Sequence, residues 1–214
     1  MIEILYQDEH IVVCRKEAGM LSEEASTDES LPFMLKKALN TDIYTLHRLD
    51  KPVGGVMIYA KTKQAAARFS QMIASDGLYK KYIAVLDSVP EKDSDELCDF
   101  LFKDSRKNKV FVVKKMRKGV KEASLSYRTI AKENNHALVE IELKTGRSHQ
   151  IRVQFASRKM PLTGDGKYGS RDNRCTVALF SHEISFIHPF TKESVSFKAE
   201  PDYSVYPWNM FRTE

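Results

Sequence analysis

Three short segments of the sequence carry side chains that could act together in catalysis. The first, residues 46–50 (LHRLD), ends in Asp50, and the second, residues 80–85 (KKYIAV), contains a tyrosine. The third, residues 143–152 (LKTGRSHQIR), contains Arg147. An ionised carboxylate can attack an electrophilic carbon or stabilise a developing positive charge, and a guanidinium can hold that carboxylate in one orientation. The three segments therefore indicate nucleophilic or electrostatic catalysis.

Each of these features, taken alone, also fits an ordinary structural role. An Arg-Leu-Asp triplet is common as a surface ion pair, and a tyrosine in a strand usually packs against its neighbours. The turn Gly146-Arg147-Ser148 could simply cap a helix. His47 and His149 fit satisfied structural histidines, and we assign neither a role in proton transfer. Only the combination of segments indicates a catalytic site.

In this order, the three segments resemble the RluA-type family of pseudouridine synthases. The resemblance extends along almost the whole chain. It includes an N-terminal hairpin leading to Ala18-Gly19, a turn at residues 119–123 (GVKEA), and the pairs Gly164-Asp165 and Tyr168-Gly169. It implies an RNA-modifying isomerase with the catalytic-domain architecture of that family, including a central basic cleft.

The resemblance also implies roles for individual residues. Asp50 matches the catalytic aspartate, Tyr82 the active-site tyrosine and Arg147 the basic partner of the aspartate. Arg48 matches the position whose side chain helps to fill the gap left by an extruded nucleotide. We expect five residues to contact RNA: His47, Arg48, Lys80, His149 and Arg152.

The chemistry of pseudouridine formation agrees with these roles. The reaction breaks the bond between uracil N1 and the ribose, rotates the base and rejoins it through C5, so it needs no redox step, and we expect neither cofactor nor metal. Burial disfavours a charged carboxylate, and a guanidinium such as that of Arg147 opposes this effect. Tyr82 could stack on the extruded base. Its phenol could also accept the C5 proton, although a phenol is mostly protonated at neutral pH.

Three positions depart from the family pattern. Val53-Gly54-Gly55 stands where relatives usually have Thr-Ser-Gly, so hydroxyl contacts behind Asp50 are missing. Lys16-Glu17-Ala18-Gly19 replaces Lys-Pro-Ala-Gly, and Gln154 replaces a histidine. The chain begins directly at the catalytic domain, so we expect this domain itself to recognise RNA.

Hydrophobic periodicity predicts the elements that must position these residues. Strands are expected at residues 2–6, 10–15, 56–60, 80–86, 123–130, 137–143, 176–184 and 195–198. Helices are expected at residues 30–40, at 63–75 after Thr62, and from about 148. Residues 90–95 form an acidic turn, and 103–121 form a basic hairpin that could contact RNA. The order favours α+β, with a mixed, mostly antiparallel sheet and flanking helices.

Composition agrees with an RNA-binding enzyme. The 214 residues carry a formal net charge of +5, with 42% hydrophobic and 29% charged residues. The excess of basic residues favours an anionic partner. Three separated cysteines indicate neither disulfides nor a zinc site, and no apolar stretch suffices to cross a membrane. We expect one catalytic domain over residues 1–214, cytoplasmic and monomeric, acting on structured ribosomal or transfer RNA.

Two other functions stay open. The chain could be an RNA-binding or assembly factor on the same fold whose chemistry has lapsed, because the loop at residues 53–55 is altered. A hydrolase acting on nucleosides or glycosides would need a second catalytic carboxylate. Glu140 and Glu142 lie on a predicted strand and offer no clear partner for Asp50.

Overall fold

The computed structural model describes residues 2–211, which contain eleven strands and three α-helices. The chain forms two compact units, one of residues 1–80 and 180–201 and one of residues 81–179 and 202–214. Within each unit most strand pairs are antiparallel, which confirms the predicted α+β class. A single catalytic domain over the whole chain stays a prediction.

The strands and helices follow one another in this order: β1 (Ile4–Gln7), β2 (Ile11–Lys16), α1 (Leu31–Leu39), β3 (Tyr44–Thr45), β4 (Gly54–Ala60), α2 (Lys63–Ala74), β5 (Tyr79–Leu86), β6 (Ser94–Asp104), β7 (Lys109–Val113), β8 (Val120–Glu133), β9 (His136–Leu143), α3 (Gln150–Ser157), β10 (Leu179–Ile187) and β11 (Ser194–Lys198).

In the first unit, β4 is the central strand and is buried along its whole length. It pairs antiparallel with β2 and β3, while residues 54 and 55 pair in parallel with residues 180 and 181 of β10. The predicted N-terminal hairpin is confirmed, since β1 pairs antiparallel with β2. The predicted edge strand is also confirmed as β11, which pairs with β10.

Both predicted helices of the first unit are confirmed. Ser30 caps α1 by accepting a hydrogen bond from the Phe33 N–H, and Thr62 caps α2 by accepting one from the Ala65 N–H at 3.1 Å. Helix α2 buries Ala65 and Phe69 against the sheet. The apolar core of this unit comprises Ile11, Val13, Val56, Ile58, Ala60, Ala65, Phe69, Leu78, Ile184 and Phe186.

The Gly54-Gly55 pair allows β4 and β10 to approach closely. Gly55 has φ +122°, and a Cβ atom built there would lie 2.3 Å from the backbone oxygen of Ser181. A Cβ at Gly54 would lie 3.1 Å from the Lys16 carbonyl oxygen and 3.3 Å from the Phe180 ring. Backbone packing at the start of β4 therefore requires glycine at position 55, whereas position 54 is only tightly packed.

In the second unit, residues 81–86 of β5 begin a run of antiparallel neighbours in the order β5, β9, β8, β6, β7. Helix α3 contributes Val153 to a small core that contains Leu101, Val110 and Ala123. The predicted helix near residue 148 is confirmed with its start at Gln150. No helix within residues 2–211 has the length and apolar character that a membrane span requires.

Two sequence predictions for these elements were imprecise. A hairpin was expected at residues 103–121, but β6 and β7 form it over residues 94–113. Strand β6 begins at Ser94, inside the segment expected to be an acidic turn. Leu97 and Leu101 face the core and their neighbours are more exposed, so this strand is buried on one face despite its charges. Strand β10 begins at Leu179, three residues after the predicted start.

Substitution of Gly55 tests the close approach of the two strands. We expect Gly55→Ala to lower the free energy of unfolding by more than about 3 kcal/mol, because the methyl group overlaps backbone that cannot move independently. Gly19→Ala is the control: its φ is also positive, at +94°, but no atom lies within 4 Å of the new Cβ. It should cost only about 1 kcal/mol. Equal losses in urea unfolding would contradict this account.

Candidate active site

Asp50 lies on a loop whose backbone is held on both sides. Before it, the Ser22 hydroxyl donates to the Leu49 carbonyl at 2.8 Å and accepts from the Leu49 N–H at 3.2 Å. After it, the Val53 N–H donates to the Asp50 carbonyl at 2.9 Å. Leu49 and Val53 are buried, whereas Asp50 is partly exposed. The loop thus presents the carboxylate from a fixed backbone.

Lys16 lies beneath this loop and is fully buried. Its Nζ donates to the Val53 carbonyl at 2.7 Å and to the Lys51 carbonyl at 3.2 Å. The Glu17 carbonyl at 3.2 Å and the Asp50 carbonyl at 3.5 Å share the same ammonium. One side chain at the end of β2 therefore fixes the path of the backbone around Asp50.

Burial lowers the pKa of Lys16 from 10.5 to about 8, and the nearby charges of Asp50 and Glu17 oppose that change. Lys16 therefore stays mostly protonated at neutral pH. The positive charge beneath the loop and the negative charge of Asp50 attract each other. Lys16 was not among the site residues expected from sequence. The available signal was a lysine at the end of β2, a strand that begins with four apolar residues.

His47 is held by the backbone of the central strand. Its Nε2 accepts a hydrogen bond from the Ile58 N–H at 3.2 Å. Burial, and secondarily the charge of Lys80, lower the pKa of His47 to about 3. The imidazole is therefore neutral and serves to hold the start of the Asp50 loop against β4. Burial also lowers the pKa of Lys80, while Asp76 opposes that change.

Arg48 and Lys51, which flank Asp50, both pair with acidic side chains. Arg48 Nη1 lies 3.0 and 3.1 Å from the two carboxylate oxygens of Glu23. Lys51 Nζ lies 2.8 Å from Glu29 Oε2. All four side chains are more than half exposed. Arg48 is thus on the surface beside Asp50, where an RNA contact is sterically possible.

In the second unit, Tyr82 lies on β5 opposite Ile141 of β9, and it is 6% exposed. Arg147 is exposed and follows β9 in a tight loop. Its Nε donates to the Glu122 carbonyl at 2.9 Å, which orients the guanidinium. The tyrosine is therefore fixed by the sheet and the arginine by the backbone of β8.

Gln150 holds the Arg147 loop from beneath and is 3% exposed. Its Oε1 accepts from the Thr145 hydroxyl at 2.8 Å and from the Arg147 N–H at 2.9 Å. Its Nε2 donates to the Ser124 carbonyl at 3.0 Å. Gln150 was also missed from sequence, because its position within a motif does not show that its amide closes the loop before α3.

Arg152, one of the expected RNA contacts, forms an ion pair inside the fold. Arg152 is only 5% exposed and forms a bidentate ion pair with Asp165, at 2.7 and 2.8 Å. Its charge is compensated within the fold, and contact of Arg152 with RNA stays a prediction. His149 is the N-cap residue of α3, with φ 50°, and its Nδ1 lies 2.8 Å from the Tyr168 hydroxyl. The same hydroxyl accepts a hydrogen bond from the Val110 N–H.

Gln154, which replaces a histidine of the family pattern, is fully buried. Its Nε2 donates to Asp99 Oδ2 at 2.8 Å and to the Leu97 carbonyl at 3.1 Å. A primary amide has two hydrogens on one nitrogen and can serve both acceptors at once. This departure therefore joins α3 to β6 and removes no proposed catalytic group.

The structure thus places Asp50, His47, Arg48 and Lys80 in the first unit and Tyr82, Arg147, His149 and Arg152 in the second. In the first unit it brings Asp50 together with Lys16, and in the second it brings Arg147 together with Gln150. Contact between Asp50 and Arg147 stays a prediction.

The lowered pKa of Lys16 makes a testable contribution to stability. Below pH 8 the lysine is protonated in both folded and unfolded chains, and its burial cost is fully present. Between about pH 8 and 10.5 the unfolded chain binds more protons, so this cost is progressively relieved and stability rises with pH. We therefore expect the free energy of unfolding of the wild type, relative to Lys16→Met, to increase across this range.

The control is Lys63→Met, which removes an exposed lysine on α2. Urea unfolding of all three proteins at several pH values from 7 to 10.5 gives the comparison. The free energy of unfolding of the wild type minus that of Lys16→Met should rise with pH. If this difference stays constant or falls, the lowered pKa of Lys16 is contradicted.

Comparison with known proteins identifies the family. The family model described as RNA pseudouridylate synthase matches residues 10–157. The tRNA pseudouridine synthase C of Vibrio cholerae is 29% identical over 226 residues, covering 94% of this chain and 92% of that protein. The ribosomal large subunit pseudouridine synthase D of Zymomonas mobilis is 28% identical, covering 93% of this chain and 69% of that protein.

A solved structure shares the fold. Human RNA pseudouridylate synthase domain containing 1 has a TM-score of 0.80 and 20% sequence identity, covering 97% of this chain and 86% of that one. The family model spans more than half of the sequence and includes Asp50, Tyr82 and Arg147. The chain therefore belongs to the RluA-type family of RNA pseudouridylate synthases, which are isomerases.

Proposed function

We propose that this protein converts specific uridines of structured RNA, ribosomal or transfer, to pseudouridine, with Asp50 as the catalytic carboxylate. The observation that carries the proposal is the fixed loop of Asp50, whose backbone is held by Ser22 and Lys16. A nucleophile or electrostatic catalyst must be preorganised, and a loop tied down on both sides meets this requirement. Family membership and the names of the relatives support the choice of reaction.

In this mechanism Asp50 acts when the bond between N1 of uracil and C1′ of ribose breaks. Its carboxylate either bonds to the electrophilic carbon or stabilises the positive charge that develops on the sugar. Both routes need a negatively charged carboxylate, and the Lys16 ammonium lies beneath the same loop. The freed base then rotates and its C5 bonds to the same ribose carbon. Where Asp50 has formed an adduct, its bond to that carbon breaks and the carboxylate is regenerated. C5 loses its proton and N1 gains one, so the reaction is a net isomerisation. Because no electrons are exchanged with another molecule, the reaction requires no cofactor.

Arg147 is the proposed partner of the Asp50 carboxylate. A guanidinium matches a carboxylate with two parallel N–H donors. Nε of Arg147 already donates to the Glu122 carbonyl, so we propose that the terminal nitrogens supply the donors for this contact. Gln150 keeps the Arg147 backbone in place.

Tyr82 is the proposed platform for the extruded base. Extrusion of a uridine from a folded RNA costs a few kcal/mol of lost stacking, and an aromatic ring recovers part of that cost. The rigid position of Tyr82 on β5 suits stacking. Whether its phenol also accepts the C5 proton is a separate question, which a pH profile of the Tyr82→Phe variant addresses.

RNA is expected to contact basic side chains outside the catalytic loop as well. The hairpin of β6 and β7 and the segment after it expose Lys103, Arg106, Lys107, Lys114, Lys115 and Arg117. Clustered cations bind phosphates by releasing counterions, and double-stranded RNA is recognised mainly through its shape and backbone. We further propose that residues 1–214 act as one catalytic domain, monomeric and cytoplasmic.

Substitution of Asp50 tests the proposal. We expect Asp50→Asn to reduce pseudouridine formation by at least about 10³-fold, because an amide is neither a nucleophile nor a countercharge. Binding of RNA should change less than about threefold, since a positive charge in RNA contact is not removed. Chemical detection of pseudouridine in a structured transcript and a binding titration measure the two quantities.

The Asp50→Asn control is Asp42→Asn, which changes an exposed carboxylate in the same unit. If Asp50→Asn still forms pseudouridine at the wild-type level, Asp50 is not the catalytic carboxylate. If a deletion strain recovers growth with the Asp50 variant although no pseudouridine is restored, the chain is instead an RNA-binding factor, the second function kept open by the altered loop at residues 53–55.

A further inference from the structure

One acidic loop faces the two cations that flank Asp50. Residues 23–29 (EEASTDE) contain four carboxylates. Glu23 pairs with Arg48, and Glu29 pairs with Lys51. Both cations beside Asp50, of which Arg48 is an expected RNA contact, are thus already paired with anions of the same chain.

The loop is built to hold these anions in place. Its ends are closed by backbone hydrogen bonds from the Leu21 N–H to the Glu29 carbonyl at 2.7 Å and from the Leu31 N–H to the Leu21 carbonyl at 3.0 Å. Across the loop, the Ser30 hydroxyl donates to the Glu23 carbonyl at 2.9 Å. Ser22, the residue before Glu23, is buried and bonds the backbone of Leu49. The same contacts therefore position the acidic loop and the Asp50 loop.

These ion pairs are too exposed to contribute much to folding. The Arg48 and Glu23 side chains are 58% and 60% exposed, and those of Lys51 and Glu29 are 52% and 66% exposed. Exposed pairs are weak in water and are screened by salt. A bound phosphate can therefore displace the carboxylates, but it must do so against their negative charge. The acidic loop is therefore expected to affect RNA binding more than folding stability.

We propose that Glu23 and Glu29 are affinity-determining residues that compete with RNA phosphates for Arg48 and Lys51. The inference rests on the proposed function, because it takes the Asp50 loop as the place where RNA binds. RNA must break both pairs before it gains the two cations, so the loop weakens the binding of RNA in general. The same loop promotes release of the product. Neither acid takes part in the chemical step.

Glu23→Gln tests the proposal, with Glu24→Gln as the matched control. Both changes remove one negative charge from the same loop, but Glu24 has no ion pair with Arg48 or Lys51 among those formed by residues 2–211. We expect Glu23→Gln to lower the Kd of a labelled, unmodified tRNA transcript about three- to fivefold at low salt, as Coulomb energies in water predict. Glu24→Gln should increase the affinity for the same RNA by less than half as much.

Two further measurements sharpen the test. In a protein that also carries Arg48→Gln, Glu23→Gln should increase RNA affinity no more than Glu24→Gln does. The reason is that the arginine which Glu23→Gln would free for RNA is absent. At about 0.5 M salt the gain should disappear. Weaker or unchanged binding by Glu23→Gln, or equal gains from both single variants, would overturn the proposal.

The outcome is separable from that of the proposed function. If the wild type forms no pseudouridine, the proposed function fails, yet the binding comparison still tests the competition for Arg48. If the wild type forms pseudouridine and Glu23→Gln leaves the Kd unchanged, only the role of the acidic loop is wrong.

Discussion

The Lys16 ammonium, buried beneath the Asp50 loop, is the interaction on which the candidate site depends. It reaches the carbonyl oxygens of Val53, Lys51 and Glu17 and lies at the limit of hydrogen bonding to that of Asp50. A buried charge is costly unless its hydrogens find acceptors, and these backbone carbonyls provide them. If the loop rearranged, the buried ammonium would lose its hydrogen-bond acceptors, so the loop is held in this conformation. The position of the carboxylate is thereby tied to the core of the first unit.

The same principle operates in the second unit with a neutral group. Gln150 is buried beneath the Arg147 loop and bonds Thr145, Arg147 and Ser124 with its single amide. In both places a long polar side chain reaches from a regular element to the backbone of the adjoining loop. Groups held in this way need little reorganisation during a reaction, which is the physical basis of electrostatic preorganisation.

The elements with clear periodicity could be predicted from the sequence. Helix α2, with its Thr62 cap and one apolar face, is the clearest case. Strand β6 could be predicted only in part, because its first residues are acidic and look like a turn until the pairing with β8 is known. Local pattern does not report such long-range pairing.

The site was predictable as a set of residues but not as a set of contacts. The motifs singled out Asp50, Tyr82 and Arg147, whereas Lys16 and Gln150 act through burial, which no spacing rule reveals. Arg152 forms another contact that the sequence motif does not show. Its charge indicated RNA contact, but Asp165, thirteen residues later in the chain, neutralises it inside the fold.

The most direct test of this account is the single-turnover rate of pseudouridine formation by Lys16→Met under saturating protein, beside the Kd of the same RNA. We predict that the rate falls by about tenfold or more while the Kd stays within about twofold, because the loop loses its support and Asp50 loses a favourable charge. A rate equal to that of the wild type, in a folded Lys16→Met protein, would contradict the claim that Lys16 positions the catalytic loop.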